Sequence, residues 1–203
     1  MKVYTEIENK VLKKINGRMA LPIDSLSVLL NVVEEMGDGN YLELGVLHGG
    51  SLLSVALIKQ QLEHTGVCIG VDPLNGYYQG VKSDSLRKHR RDVDPITNVE
   101  VSANNVMKNA HALGVEDRVV LVKAESDPML VCGRFAVVMI DGNHWGDAPI
   151  HDYENVKDMT DCIVFDNCEK KFPSVKTAYE KALDDGWSPF IKGKYIVAMR
   201  RTA

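Results

Sequence analysis

Short apolar runs alternate with longer amphipathic segments along most of the chain. Five runs of four to six residues are rich in Val, Ile, Leu or Phe: Tyr41–Leu44, Val67–Val71, Val119–Val122, Phe135–Ile140 and Cys162–Phe165. Apolar runs of this length are typical of strands buried on both faces of a parallel sheet. Because strands and helices alternate, the pattern predicts right-handed βαβ units and an α/β fold with a doubly wound sheet.

The helical segments between these runs are marked by apolar spacing and by stop signals. Gly114 and Gly186 directly follow two of them, where glycine commonly ends a helix. Asp24 follows Pro22 and is placed to cap another helix. The predicted helices are Glu6–Ile15, Asp24–Met36, Ser51–His64, Val99–Leu113 and Ser174–Asp185.

The carboxyl-terminal residues depart from the alternation. Trp187–Ile191 and Tyr195–Met199 are strand-like, and the short link between them predicts an antiparallel hairpin. We therefore predict one domain over residues 1–203, with N-terminal helices in residues 1–37. Residues 73–98 have weak periodicity, which is typical of a lid-like insertion. Their basic run, Arg87–Arg91, suits either a solvated helix face or a grip on an anionic substrate.

Charge and composition exclude several classes of protein. A net charge of −4 argues against a general nucleic-acid binder, which carries a basic surface. The longest apolar run is far shorter than the roughly 20 residues that span a bilayer, and no secretory signal follows Met1. The four cysteines form no C-x-x-C pair. We predict a cytoplasmic protein with reduced thiols and no nucleic-acid or membrane partner, whereas a homo-oligomer remains open.

A glycine-rich turn follows the first predicted strand. Residues 43–51 read Glu-Leu-Gly-Val-Leu-His-Gly-Gly-Ser, which is neither a Walker P-loop nor a G-x-G-x-x-G motif. Gly45 and Gly49 would let the backbone approach a ligand, and Ser51 opens a helix with free N–H groups. Glu43 would attract a positively charged group of that ligand. The alternative is a tight turn whose glycines serve packing alone.

Polar residues after the second and third strands extend this candidate ligand site. Asp72 stands where open α/β nucleotide sites place the acid that binds ribose hydroxyls, 27 residues after Gly45. The alternative is that Asp72 starts a turn before Pro73. Glu125 and Ser126 would meet an adenine edge across the same crevice, or Ser126 would cap a helix. Together these residues predict an adenosine-containing ligand.

Oxygen-bearing side chains end the fourth and fifth strands. If those strands are neighbours, their ends lie about 5 Å apart, so Asp141, Asp166 and Asn167 converge. Such side chains suit Mg²⁺ or a similar hard cation, although capping of helices is the alternative. His144 is a candidate general base beside that metal, or a histidine of a surface loop. Asp152 is a candidate to orient His144 or to bind a metal-bound water.

These motifs resemble those of class I S-adenosylmethionine (SAM)-dependent methyltransferases, and more narrowly the Methyltransf_24 and TylF-like O-methyltransferases. The resemblance covers about residues 38–200. Two departures are Leu47, in place of a usual middle glycine, and Asn167, where many sugar-modifying relatives have a carboxylate. Asp-Asn is the pairing of catechol-type O-methyltransferases. The matching motifs are Glu43-Leu44-Gly45 with Gly49 and Ser51, the Val71–Tyr78 segment, Ile140–His144 followed by Asp152-Tyr153-Glu154, and Phe165-Asp166-Asn167.

The resemblance implies a fold and a set of roles. It implies a seven-stranded, Rossmann-like methyltransferase sheet of order 3-2-1-4-5-7-6 with the last strand antiparallel. It also implies that SAM lies at the glycine turn, that Mg²⁺ lies at the strand-end acids, and that His144 and Asp141 act in catalysis. The implied cofactor-binding residues are Glu43, Gly45, Gly49, Ser51, Asp72, Glu125, Ser126 and Asp141, and the implied metal ligands are Asp141, Asp166 and Asn167.

We therefore expect an Mg²⁺-dependent O-methyltransferase that acts on a hydroxyl of a small molecule such as a sugar, polyol or catechol. One rival is an NAD-dependent oxidoreductase, against which the lack of G-x-G-x-x-G counts. A metal-dependent hydrolase is a second rival, but it would not need Glu43, the glycine turn or Asp72. A non-catalytic binder of an adenosine ligand is a third.

Overall fold

A computed structural model describes residues 1–75, 93–127 and 129–201 of the chain. Over these residues the helices are α1 Thr5–Lys14, α2 Ile23–Met36, α3 Gly50–Gln61, α4 Ala103–Leu113, α5 Ala148–Val156 and α6 Pro173–Asp184. The strands are β1 Tyr41–Leu44, β2 Cys68–Asp72, β3 Val119–Lys123, β4 Val137–Ile140, β5 Cys162–Phe165, β6 Trp187–Lys192 and β7 Val197–Arg201.

The strands form one sheet of order β3-β2-β1-β4-β5-β7-β6, as the resemblance implied. Strands β1 to β5 pair in parallel, and β7 pairs antiparallel with both β5 and β6. Leu44 at the end of β1 lies beside Val71 of β2 and Ile140 of β4, and Ile140 lies beside Phe165 of β5. The loops that follow these four strands therefore leave the sheet at one edge.

Each face of the sheet carries its own hydrophobic core. Alternate residues of a strand point to opposite faces, so Tyr41 packs into the core shared with α1 to α4. Leu42 and Leu44 pack into the core shared with α5 and α6. Helix α3 is enclosed on all sides, since residues 50–59 are all buried, which explains its apolar sequence.

Three predicted boundaries shift for local reasons. Helix α4 begins at Ala103 rather than Val99, because the Ser102 side chain accepts a hydrogen bond from the Asn105 N–H at 3.2 Å and caps the helix there. The predicted cap by Asp24 is wrong: α2 begins after Pro22 and has no side-chain cap bond. The last strand begins at Val197, because the turn before it extends to Ile196.

The predicted insertion is described only at its ends. Residues 76–92, which include Tyr77, Tyr78 and the Arg87–Arg91 run, lie outside the described residues. At its far end Asp94 is fully buried. The four cysteines are free, with Cys68 and Cys162 buried. Within the described part of the chain no helix is long and apolar enough to cross a membrane.

Candidate active site

One cavity of about 460 Å³ lies at the carboxyl edge of the sheet. Most of the predicted site residues line it: Gly45, Ser51, Asp72, Glu125, Ser126, Asp141, His144, Asp166 and Asn167. A second cleft, of about 520 Å³, lies where α3 and α4 end, and its lining contains none of the predicted residues. The first cavity is therefore the candidate active site.

The glycine turn brings its backbone against the end of β4. Gly45 has φ +93°, and a Cβ at this position would lie 2.1 Å from the carbonyl oxygen of Asp141, so only glycine fits. Gly49 has φ +84° and directly precedes α3. Leu47 adopts φ +53° without being glycine. The turn thus keeps its shape although the usual middle glycine is missing.

Asp72 shapes this turn as well as lining the cavity. Its Oδ2 accepts hydrogen bonds from the N–H groups of Val46 at 2.7 Å and Leu47 at 3.1 Å. Its Oδ1 accepts a third bond from the N–H of Leu74 at 2.6 Å. The bond from Leu74 is the turn before Pro73 that the sequence offered as an alternative role. The bonds to Val46 and Leu47 hold Leu47 in its left-handed conformation, a task that the sequence did not reveal.

Glu43 lies behind the turn rather than in the cavity. It is fully buried, and its two oxygens accept hydrogen bonds from the hydroxyls of Tyr41 at 2.7 Å and Ser51 at 2.8 Å. Burial raises the pKa of Glu43 to about 7. The expected direct contact of Glu43 with a ligand is therefore corrected: its carboxyl is enclosed by protein groups.

The strand-end acids and His144 converge as predicted. Ligating atoms of Asp141, His144 and Asp166 all lie within 4.8 Å of one another. Burial raises the pKa of Asp141 to about 8, and the nearby Glu43 carboxyl adds to the rise. Burial also raises the pKa of Asp166 well above its usual value, and the neighbouring Asp141 adds to that rise. Two such carboxyls in one buried site favour a cation between them.

A buried atom without a partner in this cluster points to the same conclusion. Among the described residues, Asp166 Oδ1 is buried without a hydrogen-bond partner, and His144 Nε2 makes no hydrogen bond but lies 3.3 Å from Asp141 Oδ1. A divalent cation would satisfy Asp166 Oδ1, so the residues present fit a metal with His144 beside it. Asn167 lines the cavity and donates its amide N–H to Asp166 Oδ2. The predicted ligands Asp141, Asp166 and Asn167 thus all line one cavity, with His144 beside the two acids.

The family of the chain follows from a comparison with known sequences. A family model described as a methyltransferase domain, Methyltransf_24, matches residues 42–168. This match spans more than half of the chain and includes the glycine turn, Asp72 and the three clustered residues. The chain belongs to the Methyltransf_24 family. It is a class I SAM-dependent methyltransferase.

Solved structures agree with this fold. The O-methyltransferase NovP matches with a TM-score of 0.72 and 19% identity over 93% of this chain and 84% of NovP. An O-methyltransferase from Bacillus cereus in complex with SAH matches with a TM-score of 0.62 and 15% identity, over 97% of this chain and 91% of that one. CalS11, a TDP-rhamnose 3'-O-methyltransferase, matches with a TM-score of 0.56 and 16% identity, over 97% of this chain and 93% of CalS11. No curated protein matches the chain significantly.

The methyltransferase site also contains residues that sequence reasoning missed. Arg18, Ala20 and Leu21, from the loop between α1 and α2, line the cavity. At another part of its wall Phe172 packs edge-on against His144, with ring centroids 5.0 Å apart, and against Trp145 at 5.8 Å. Arg18, Ala20 and Leu21 do not follow a predicted strand, so the rule of strand ends could not identify them. Trp145 and Phe172 lie in the loops after β4 and β5, but their apolar side chains gave no signal of chemistry.

Asp152 is a further buried acid near this site. It is 1% exposed, and among the described residues both of its carboxylate oxygens lack a hydrogen-bond partner. Burial raises the pKa of Asp152 to about 6. The predicted orienting contact with His144 is not made through a hydrogen bond, and Asp152 instead lies behind Gly142.

Proposed function

We propose that this methyltransferase transfers the methyl group of SAM to a hydroxyl oxygen of a small molecule, with a divalent cation such as Mg²⁺ at the acidic cluster. The observation that carries the proposal is the convergence of Asp141, His144 and Asp166 in the cavity that the glycine turn also lines. The names of NovP, CalS11 and the B. cereus protein support oxygen as the acceptor atom.

The cofactor would lie along the glycine turn. Gly45 lines the cavity and allows close approach of the backbone, and Asp72 faces the cavity where ribose hydroxyls would lie. Gly49 does not line the cavity and would act through the shape of the turn, with φ +84° just before α3. Glu125 and Ser126 line the cavity where the adenine would lie. Ser51 lines the cavity and would meet the cofactor directly, whereas Glu43 would act through Ser51, whose hydroxyl donates to it.

Asp141, Asp166 and Asn167 would hold the cation, with His144 beside them. A bound divalent cation lowers the pKa of an acceptor hydroxyl and fixes its position. Burial lowers the pKa of His144, so its imidazole is neutral near pH 7 and can take the proton of the acceptor. The remaining task of the protein is to align oxygen, methyl carbon and sulfur.

The acceptor is a sugar, polyol or catechol-like compound in this proposal. Asn167 beside Asp166 matches the Asp-Asn pairing that the sequence suggested, which favours a catechol, whereas CalS11, named as a TDP-rhamnose 3'-O-methyltransferase, favours a sugar. The domain would act as a single unit in the cytoplasm without nucleic-acid or membrane partners, and a homo-oligomer remains open. The family match weighs against an NAD-dependent oxidoreductase and a hydrolase.

Formation of SAH in the presence of a panel of acceptors tests the proposal. The purified protein is incubated with SAM and catechols, polyols or nucleotide sugars, with Mg²⁺ or with EDTA. We expect SAH and a methyl ether with one class of acceptor, and loss of both with EDTA. Turnover that survives EDTA would refute the role of the cation. Binding of SAM without transfer to any acceptor would favour a non-catalytic binder.

A further inference from the structure

The loop between α1 and α2 forms part of the cofactor side of the cavity. Arg18 lines this cavity together with Gly45, Val46 and Leu47 of the glycine turn and Gly50 at the start of α3. Arg18 lies outside the residues that the family model matches. Its contribution is therefore a feature of this chain that the family motifs do not describe.

The backbone on both sides of Arg18 is packed against the glycine turn. At Gly17 an added Cβ would lie 2.4 Å from Cγ of His48, so the His48 ring fills that space. At Gly50 an added Cβ would lie 2.6 Å from Cβ of Met19. Arg18, between Gly17 and Met19, thus has a fixed position relative to the turn.

Asn16 fastens the same loop to α4. Its N–H donates to Asn109 Oδ1 at 2.7 Å, and its carbonyl oxygen accepts bonds from the amides of Asn105 at 2.9 Å and Asn109 at 3.2 Å. Asn109 also donates to the carbonyl of His48 at 3.0 Å. Loop, helix and glycine turn are consequently one hydrogen-bonded unit.

A buried carboxylate orients the guanidinium of Arg18. Arg18 Nε donates to Asp94 Oδ2 at 2.9 Å, and the Asp94 side chain is 0% exposed. Asp94 also accepts bonds from the Ile96 N–H at 3.1 Å and the Thr97 hydroxyl at 2.9 Å, and lies 3.3 Å from His48 Nε2. Because Asp94 is held by several groups, it can direct Arg18 toward one place in the cavity.

Arg18 is the basic side chain next to the glycine turn in a cavity with several acids. The described lining carries Asp72, Glu125, Asp141 and Asp166 as acids and Arg18 and Lys171 as basic residues. The Lys171 ammonium lies 5.3 Å from the centre of the Phe172 ring, on the side of the cavity where Phe172 packs against His144. Burial raises the pKa of Asp141, and the nearby Arg18 charge opposes that rise. Acidic side chains attract the positively charged sulfonium and ammonium groups of SAM. The negatively charged carboxylate of SAM instead needs a positively charged side chain.

We propose that Arg18 binds the α-carboxylate of the methionyl part of SAM, and that Asp94 is a positioning residue for Arg18. The planar guanidinium matches a carboxylate with two parallel hydrogen bonds. The N–H groups at the start of α3, next to Arg18 along the cavity, provide further donors for the same anion. This inference rests on the proposed function, because it assigns a residue to the cofactor of that same site.

Binding of SAH and of its decarboxylated analogue tests the inference. Dissociation constants are measured by calorimetry for the wild-type protein, Arg18→Gln and the control Lys13→Gln, which removes an exposed cation of α1. We expect Arg18→Gln to weaken SAH binding about 10- to 100-fold and to leave binding of the analogue unchanged. The wild-type protein should bind the analogue more weakly than SAH by a similar factor. Lys13→Gln should have the same two dissociation constants as the wild type.

Asp94→Asn tests the positioning role with the same two ligands. It should weaken SAH binding less than Arg18→Gln does and should not affect the analogue, whereas a structural defect would weaken both. Equal weakening of both ligands by Arg18→Gln, or unchanged SAH binding, overturns the inference while the proposed function stands. A wild-type protein that binds no SAH overturns both.

Discussion

At the scale of single residues, Asp166 can be used to test the proposed metal site separately from the proposed cofactor site. It is 5% exposed and belongs to the acidic cluster, but it lies on β5's loop and not on the glycine turn. We expect Asp166→Ala to abolish metal-dependent turnover and to leave the dissociation constant for SAH nearly unchanged. Calorimetry with SAH and SAH-formation assays with Mg²⁺ measure the two properties separately.

Asp117→Ala is the matched control for this variant, because Asp117 is an exposed acid away from the cavity. It should retain both turnover and binding. Equal loss of turnover and SAH affinity in Asp166→Ala would contradict this division of roles.

Glu43 makes the stability of the ligand-free protein depend on pH. The folded protein keeps the proton of Glu43 up to about pH 7, whereas an ordinary glutamate loses it near pH 4.5. The folded state thus binds more protons between these values, so the free energy of unfolding falls as pH rises through this window. We expect the free energy of unfolding of Glu43→Gln to fall by up to about 3 kcal/mol less than that of the wild type over this pH range.

Urea unfolding at pH 5 and pH 8 measures the effect. The free energy of unfolding should fall less between pH 5 and pH 8 in Glu43→Gln than in the wild type. The control variant Glu6→Gln, at an exposed position, should show the same fall as the wild type. Parallel pH dependences of the wild type and Glu43→Gln would show that Glu43 loses its proton normally in the folded state.

The sequence predicted the strand-end residues well and the environment of Glu43 poorly. Asp141 and Asp166 could be predicted because neighbouring parallel strands end at one edge of a sheet. Tyr41 could have been noticed, since residues two apart share a face of a strand. Arg18 could not, because its approach to the cavity depends on contacts with Asp94 and His48, which are distant along the chain.

At the scale of elements, the glycine turn couples β1 to β4. Alanine at Gly45 would clash with the Asp141 carbonyl and require a left-handed backbone. We expect Gly45→Ala to lower the free energy of unfolding by about 3 kcal/mol or more and to abolish measurable SAH binding. Urea unfolding and calorimetry measure both quantities.

Gly114→Ala is the control that separates the cost of a left-handed backbone from the cost of the clash at Gly45. Gly114 has φ +73° and ends α4, but no atom within 4 Å would meet an added Cβ. Its substitution should cost about 1–2 kcal/mol and leave SAH affinity unchanged. Similar effects of the two substitutions would mean that strain, and not the contact between strand ends, dominates at Gly45.

Element boundaries were harder to predict than the elements themselves. Runs such as Tyr41–Leu44 and Cys162–Phe165 match the observed strands without change, because burial on both faces leaves a continuous apolar signal. The start of α4 depended on the Ser102 cap, and the start of β7 depended on its turn. Such hydrogen bonds leave little trace in the pattern of apolar residues.

At the scale of the whole molecule, the N-terminal helices are part of the methyltransferase core. Val11 of α1 and Leu29 of α2 are fully buried in the core that also contains α3 and one face of the sheet. Arg200 of β7 donates to Glu35 of α2 at 2.8 Å, so α2 also contacts a strand near the carboxyl terminus of the chain. Residues 1–37 therefore should not unfold on their own.

We predict a single thermal transition that SAH shifts as a whole. A ligand at 100 times its dissociation constant adds about 2.7 kcal/mol, which for a chain of this size raises Tm by about 5–10 °C. Calorimetric scans with SAH should show one transition at the higher temperature, and NAD should leave it in place. An early transition that SAH does not move would mean that the N-terminal helices form a separate unit. In that case Arg18 could not be held at the cofactor by the fold.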